Sequence, residues 1–222
     1  MSDVEKGLSS SSNGVIEANL PPNATIMPRP TRIANPGTLG LFSFASTTFI
    51  LSMYNVQTRG IKAPNVVVGM AIFCGGLTQL LAGMWEFPRG NAFGGTAFSS
   101  YGAFWMSYAT IFIPNSGILD AYSADASELS SALAVYLFAW MIVTILFFIT
   151  SLRKSASFIA LFGVLSVTFM LLACSEFLQF PSLAKSGGAF GIVTAFIAYY
   201  VGLSELLASE AKAVTVLPIG TL

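Results

Sequence analysis

The chain has 222 residues, of which 55% are hydrophobic and only 9% charged, and its ten basic and ten acidic side chains leave a formal net charge of zero. A mean hydropathy of +0.75 is too apolar for a single water-soluble core of this size, and basic residues confined to the ends of apolar stretches exclude a nucleic-acid partner. Histidine is absent, which removes imidazole general bases, metal ligands and proton relays together.

Residues 1–34 are rich in Ser, Asn, Pro and Gly and read as a disordered cytoplasmic tail without the apolar core of a signal peptide. The serines at 9–12 fit either phosphate acceptors or plain solvated linker, and the sequon Asn23-Ala24-Thr25 would stay unused in a cytoplasmic tail. Six apolar stretches follow, at 39–58, 64–85, 94–113, 133–150, 156–174 and 187–208, each long enough to cross a bilayer as a helix. Barrel strands would alternate polar with apolar, whereas 132–149 is apolar on nearly every side, so the backbone must be paired inside helices. The expected fold class is an all-α integral membrane protein, a six-transmembrane-helix bundle over 35–210 with a short cytoplasmic tail at 211–222. Lys6, Arg29, Arg32, Arg89, Arg153, Lys154 and Lys212 fall on one set of loops, against Arg59, Lys62 and Lys185 on the other, which places both termini in the cytoplasm.

Helical spacing defines several faces. Gly75, Gln79, Ala82 and Glu86 share one side of the second stretch, where Gln79 either lines a watery cavity or bonds a neighbouring helix and Glu86 stands within reach of Arg89. The third stretch carries an aromatic stripe, Gly94, Phe98, Tyr101, Trp105, Tyr108 and Phe112, readable as packing or as a path narrowed by rings whose hydroxyls line it. Phe158, Phe162, Leu165, Phe169 and Leu172 form an apolar face able to meet that stripe. In the last stretch Gly187, Gly191, Thr194, Ala198 and Gly202 form a small-residue seam ending at Glu205, which is either an interfacial carboxylate or a proton-titrating one.

Cys74 and Cys174 lack metal-ligand spacing and read as structural thiols; no phosphate-binding loop or nucleophile elbow is present. We therefore expect no catalytic residues, no metal and no cofactor. With no fixed positive charge in the middle of the membrane, an anion crossing here must stay partly hydrated, lean on helix termini and hydroxyls, or cross as its neutral acid.

Asn35-Pro36-Gly37-Thr38-Leu39-Gly40-Leu41 opens the first stretch with a capping Asn and a Pro at the first helical position. Together with residues 73–86 (FCGGLTQLLAGMWE), 90–105 (GNAFGGTAFSSYGAFW) and the closing 215–220 (TVLPIG), this segment makes the chain resemble the acetate uptake transporter family of bacterial succinate–acetate permeases and fungal acetate and ammonium-export proteins. Thr38 stands where the family usually has a second Pro. The resemblance implies a homo-hexamer of six-helix protomers in the plasma membrane, passing acetate, succinate and related short carboxylates with protons. It also implies a pore in each protomer, constricted by Phe44, Tyr101 and Leu165, a ring at which a small solute sheds water. Candidate pathway residues are Asn35, Pro36, Leu39, Thr47, Thr48, Gln79, Glu86 and Trp105. Ammonia or ammonium export, with Asp120, Asp125 and Glu128 as acidic mouth groups, and a non-transporting membrane sensor are the alternatives.

Overall fold

The computed structural model describes residues 33–221, and the expectations placed on the tail before residue 33 lie outside these residues. Among the described residues the regular structure is helical, apart from one isolated bridge between Ser155 and Thr221. Helix α1 runs Gly37–Asn55, α2 Val67–Ile72, α3 Gln79–Arg89, α4 Ala92–Phe112, the short α5 Ile118–Ala121, α6 Ala126–Ser151, α7 Ala156–Leu178 and α8 Pro181–Ser209. A π-helical segment, Phe73–Thr78, joins α2 to α3 into one rod, Val67–Arg89. That rod and α6, α7 and α8 are long and apolar enough to cross a membrane by length and composition.

The most extensive helix pairs pack antiparallel: α1 on α8, α6 on α7, α7 on α8 and α3 on α4. Asp125 caps α6 by accepting from the hydroxyl and the backbone N–H of Ser127, bonds that hold its carboxyl below the usual carboxylate range. Gly90 ends α3 at a φ of 87°, and the Asn91 N–H reaches back to the Glu86 carbonyl at 3.0 Å. This tight reversal sets Asn91 at the start of α4, directly behind Glu86. The last turns of α3, α6 and α8 thus share one end of the bundle with the first turns of α1, α4 and α7.

The closing segment is tied down rather than hanging as a free tail. Ser204 donates to the Leu217 carbonyl at 2.5 Å and Tyr200 to that of Pro218 at 2.7 Å. The backbone N–H groups of Ala156 and Ser157, free donors at the start of α7, bond the carbonyls of Gly220 at 2.7 Å and Ile219 at 3.1 Å.

The α3–α4 seam depends on glycine. A Cβ on Gly102 would stand 2.7 Å from the Leu80 nitrogen and 2.9 Å from the Gly76 carbonyl oxygen, both backbone atoms that cannot rotate away. Gly102→Ala is therefore expected to force the two helices apart at a cost of about 1–3 kcal/mol. Thermal unfolding in detergent checks this against Gly69→Ala, where nothing lies within 4 Å and helix propensity alone predicts an unchanged or higher midpoint.

Candidate functional site

Two cavities open from opposite ends of the bundle and share Phe44 and Leu165 in their walls. The first, about 110 Å³, lies toward the end that holds Asn91 and is lined by Gln79, Glu86, Tyr101 and Glu205 among others. The second, about 100 Å³, is lined by Thr48, Trp105, Thr168 and Glu176. Phe44, Tyr101 and Leu165 come from α1, α4 and α7 and are 5%, 3% and 3% exposed, with the Phe44 and Tyr101 ring centroids 5.5 Å apart at 53°. Phe44 and Leu165 thus stand at the partition between the cavities, and Tyr101 packs on Phe44 from the wall of the first.

Beside that partition, Tyr101 turns its hydroxyl toward α6. Its hydroxyl lies 2.9 Å from the Thr144 hydroxyl, and Thr144 gives its own proton to the Trp140 carbonyl at 2.7 Å. Thr144 has one proton, so Tyr101 is the donor in the first bond and its hydrogen points away from the path. Of the two readings of the stripe, a path lined by hydroxyls is therefore not seen at Tyr101, whose hydroxyl is engaged by Thr144. The α7 face meets the aromatic stripe as its spacing suggested: Phe158, Phe162 and Leu165 line the first cavity, and Leu165, Phe169 and Leu172 the second.

The remaining expected pathway residues divide. Gln79 is 1% exposed on the wall of the first cavity and neither atom of its amide has a protein partner. On the second cavity, the Thr48 hydroxyl and the Trp105 indole N–H are likewise buried without a partner. Leaving such groups unsatisfied in an apolar setting costs about 1–3 kcal/mol each, so buried polar atoms of this kind mark surfaces that meet water or a polar solute. Thr47 lines neither cavity: its hydroxyl bonds the Ser43 carbonyl at 3.0 Å, and its side chain wedges against Gly75. Leu39 is 50% exposed and lines neither cavity. Pro36 occupies the position before α1, one residue earlier than expected, and offers no side-chain cap.

Asn35 supplies the cap. Its Oδ1 accepts the Gly37 N–H at 3.0 Å and an Arg89 guanidinium N–H at 2.9 Å, which leaves its Nδ2 to donate to Glu205 Oε2 at 3.0 Å. Arg89 also stands 3.2 Å from Glu86 Oε2, and Asn91 Nδ2 donates to the same oxygen at 2.9 Å. The Asn91 Oδ1 caps α4 through the Gly94 N–H at 3.1 Å. Lys154 joins this mouth from the α6–α7 turn, its ammonium 4.4 Å above the Phe93 ring. Sequence spacing identified Glu86 and its reach to Arg89 but not Asn91 or Lys154, although an Asn directly before a Gly-rich helix is a readable cap. Asp120, Asp125 and Glu128 line neither cavity; the carboxylate on the second one is Glu176.

The GPR1/FUN34/yaaH family profile matches residues 17–221. "Ammonia transport outward protein 2" of Saccharomyces cerevisiae is 47% identical over 179 residues, covering 80% of this chain, and this chain spans 64% of that protein's length. The "Succinate-acetate/proton symporter SatP" of Escherichia coli K12 is 36% identical over 191 residues, covering 86% of this chain and 97% of the bacterial one. A solved structure titled "Structure of the bacterial acetate channel SatP" superposes with a TM-score of 0.75 at 34% identity, covering 85% of this chain and all of that one. With the profile match running almost the length of the chain and a solved relative of the same fold, the chain belongs to the GPR1/FUN34/yaaH family.

Proposed function

We propose that the chain crosses the plasma membrane six times, with both termini cytoplasmic, and passes acetate and related short carboxylates together with protons through a pore in each protomer of a homo-hexamer. The carrying observation is the pair of cavities that meet at Phe44 and Leu165, with unpartnered polar atoms of Gln79 on one side and of Thr48 and Trp105 on the other. A short carboxylate has an apolar end that suits an aromatic and aliphatic ring and a polar end that suits sparse amide, hydroxyl and indole donors. The two helices that complete six crossings, α1 and α4, carry Ser43, Thr48 and Ser52, and Ser99, Ser100 and Ser107. Helices facing a polar path have reason to be less apolar than those facing lipid. The names of the bacterial relatives, a succinate-acetate/proton symporter and an acetate channel, agree with this substrate class.

Purified protein in liposomes is expected to take up labelled acetate faster than protein-free vesicles, and to do so most when the outside is acidic. No protein-dependent uptake under any gradient would overturn the reading. Ammonia export is the second reading, favoured by the carboxylates Glu86 and Glu205 on one cavity and Glu176 on the other and by the name of the yeast relative. It predicts a flux of ammonia or methylamine that rises toward alkaline pH in the same vesicles.

A further inference from the structure

The carboxylates of Glu86 and Glu205 converge on a single point. A Cβ placed on Gly37 would lie 2.8 Å from Glu86 Oε1 and 3.1 Å from Glu205 Oε2, so the absence of a side chain there lets both acids approach the start of α1. Their partners differ. Glu86 is 1% exposed, paired with Arg89 and bonded by Asn91. Glu205 has the Asn35 amide and, among the described residues, no cation within salt-bridge distance. The charged groups that line the same openings are Glu86 and Arg89 from α3 and Lys154 from the α6–α7 turn; Asn35 before α1 and Asn91 at the start of α4 are neutral, the closing segment 214–221 contributes no ionisable side chain, and Glu210 and Lys212 follow the end of α8 without lining either opening. Two acids therefore share one engaged guanidinium, and like charges that share a site favour one proton between them.

We propose that Glu205 is the proton-binding group of the first cavity, taking up one proton for each carboxylate that enters it. This rests on the transport reading above. The asymmetry in hydrogen bonding supports the assignment to Glu205 rather than Glu86. Asn35 is locked by its bonds to Gly37 and Arg89, so its amide N–H points at Glu205 Oε2 whether that acid is charged or neutral. The proton comes from water at the open mouth and binds Oε1, the oxygen that Asn35 does not occupy, without breaking the network. Gln79, 1% exposed and unpartnered on the same cavity wall, is an independent sign that a polar solute is met there. A neutral Glu205 removes one negative charge as the carboxylate brings one, so the cavity's total charge stays constant, and the proton travels with the anion when the cavity empties toward the ring.

Two measurements test this. In wild-type protein treated with dicyclohexylcarbodiimide, which reacts with protonated carboxyl groups in apolar surroundings, peptide mass spectrometry is expected to find Glu205 modified and Glu86 unmodified. Modification of Glu86 alone, or of neither acid, overturns the assignment. In liposomes, wild-type acetate uptake above the protein-free background should be indifferent to a potassium–valinomycin potential, because proton and anion cross together. Glu205→Gln should make uptake respond severalfold to that potential, since the anion then crosses without its proton, and Glu205→Asp should restore indifference. A Glu205→Gln protein as indifferent as wild type overturns the proposal, as does a Glu205→Asp protein that behaves like Glu205→Gln. Wild-type protein without acetate flux would sink the transport reading, while carbodiimide labelling would still judge Glu205 as a proton site.

Discussion

Phe44→Ala and Leu165→Ala are each expected to raise the uptake of propionate and butyrate relative to acetate by about tenfold, the scale on which one or two methylene groups are sorted by an apolar pocket. Both side chains belong to the walls of both cavities, so truncating either removes atoms from the partition itself. Tyr101 is the less informative third position. Its ring packs on Phe147 at 5.7 Å and Trp140 at 6.1 Å as well as on Phe44, and its hydroxyl is tied to Thr144, so its loss disturbs α6 along with the ring. Each alanine variant should also lose about 2–3 kcal/mol of stability, the low end for a buried large-to-small change, because the side chain already borders open space on two sides. Initial rates for an acid series in liposomes check the expectation. If both variants kept the wild-type rate and the wild-type size limit, the constriction would lie elsewhere.

The parts of this site that sequence could disclose are those written in one helix. Gly75, Gln79, Ala82 and Glu86 share a face by spacing alone, and all four are buried. Phe158, Phe162, Leu165, Phe169 and Leu172 likewise lie along one wall because a 3.6-residue period places them there. Spacing fails where a choice turns on one residue. Thr47 and Thr48 differ by about 100° around α1, and only the packing of Gly75 against Thr47 decides that Thr48 faces the second cavity. It also fails for contacts made across the fold. Asn35 and Glu205 are 170 positions apart, and Lys154 finds Phe93 only once the α6–α7 turn is folded against α4. The π-helical turn at Phe73–Thr78 had a faint local sign in the Gly75-Gly76 pair, since a Cβ on Gly76 would collide with the Ala71 carbonyl oxygen.

The polar mouth and the apolar partition make opposite demands on the same bundle. The partition needs water excluded, whereas the mouth holds a buried carboxylate that is tolerable only while it is paired. Three of its supports carry no charge: the Gly90 reversal that brings Asn91 behind Glu86, the missing side chain at Gly37, and the Asn35 cap that orients its amide. The chain thus fixes charge geometry with turns and caps, and uses only Arg89 to neutralise Glu86 directly.

That dependence makes Arg89→Gln the most damaging single change expected at the mouth. Glu86 is 1% exposed, and the guanidinium 3.2 Å away is its one ion-pair partner among the described residues. Removing one member of a fully buried pair costs about 3–5 kcal/mol; with the Arg89 side chain 33% exposed, a loss of about 2–4 kcal/mol is expected here. For a chain of this size that corresponds to a fall of about 4–16 °C in the unfolding midpoint. The loss comes from the carboxylate left behind, not from the attraction that was removed. Glu86→Gln combined with Arg89→Gln should therefore be clearly more stable than Arg89→Gln alone, because Asn91 can still donate to the carbonyl oxygen of the substituted amide and no buried charge remains. Thermal unfolding of the two singles and the double in one detergent gives the coupling directly. If the double variant fell by the sum of the two singles, Arg89 would be serving Asn35 and the start of α1 instead, through the 2.9 Å bond to Asn35 Oδ1, and the buried pair would contribute nothing of its own.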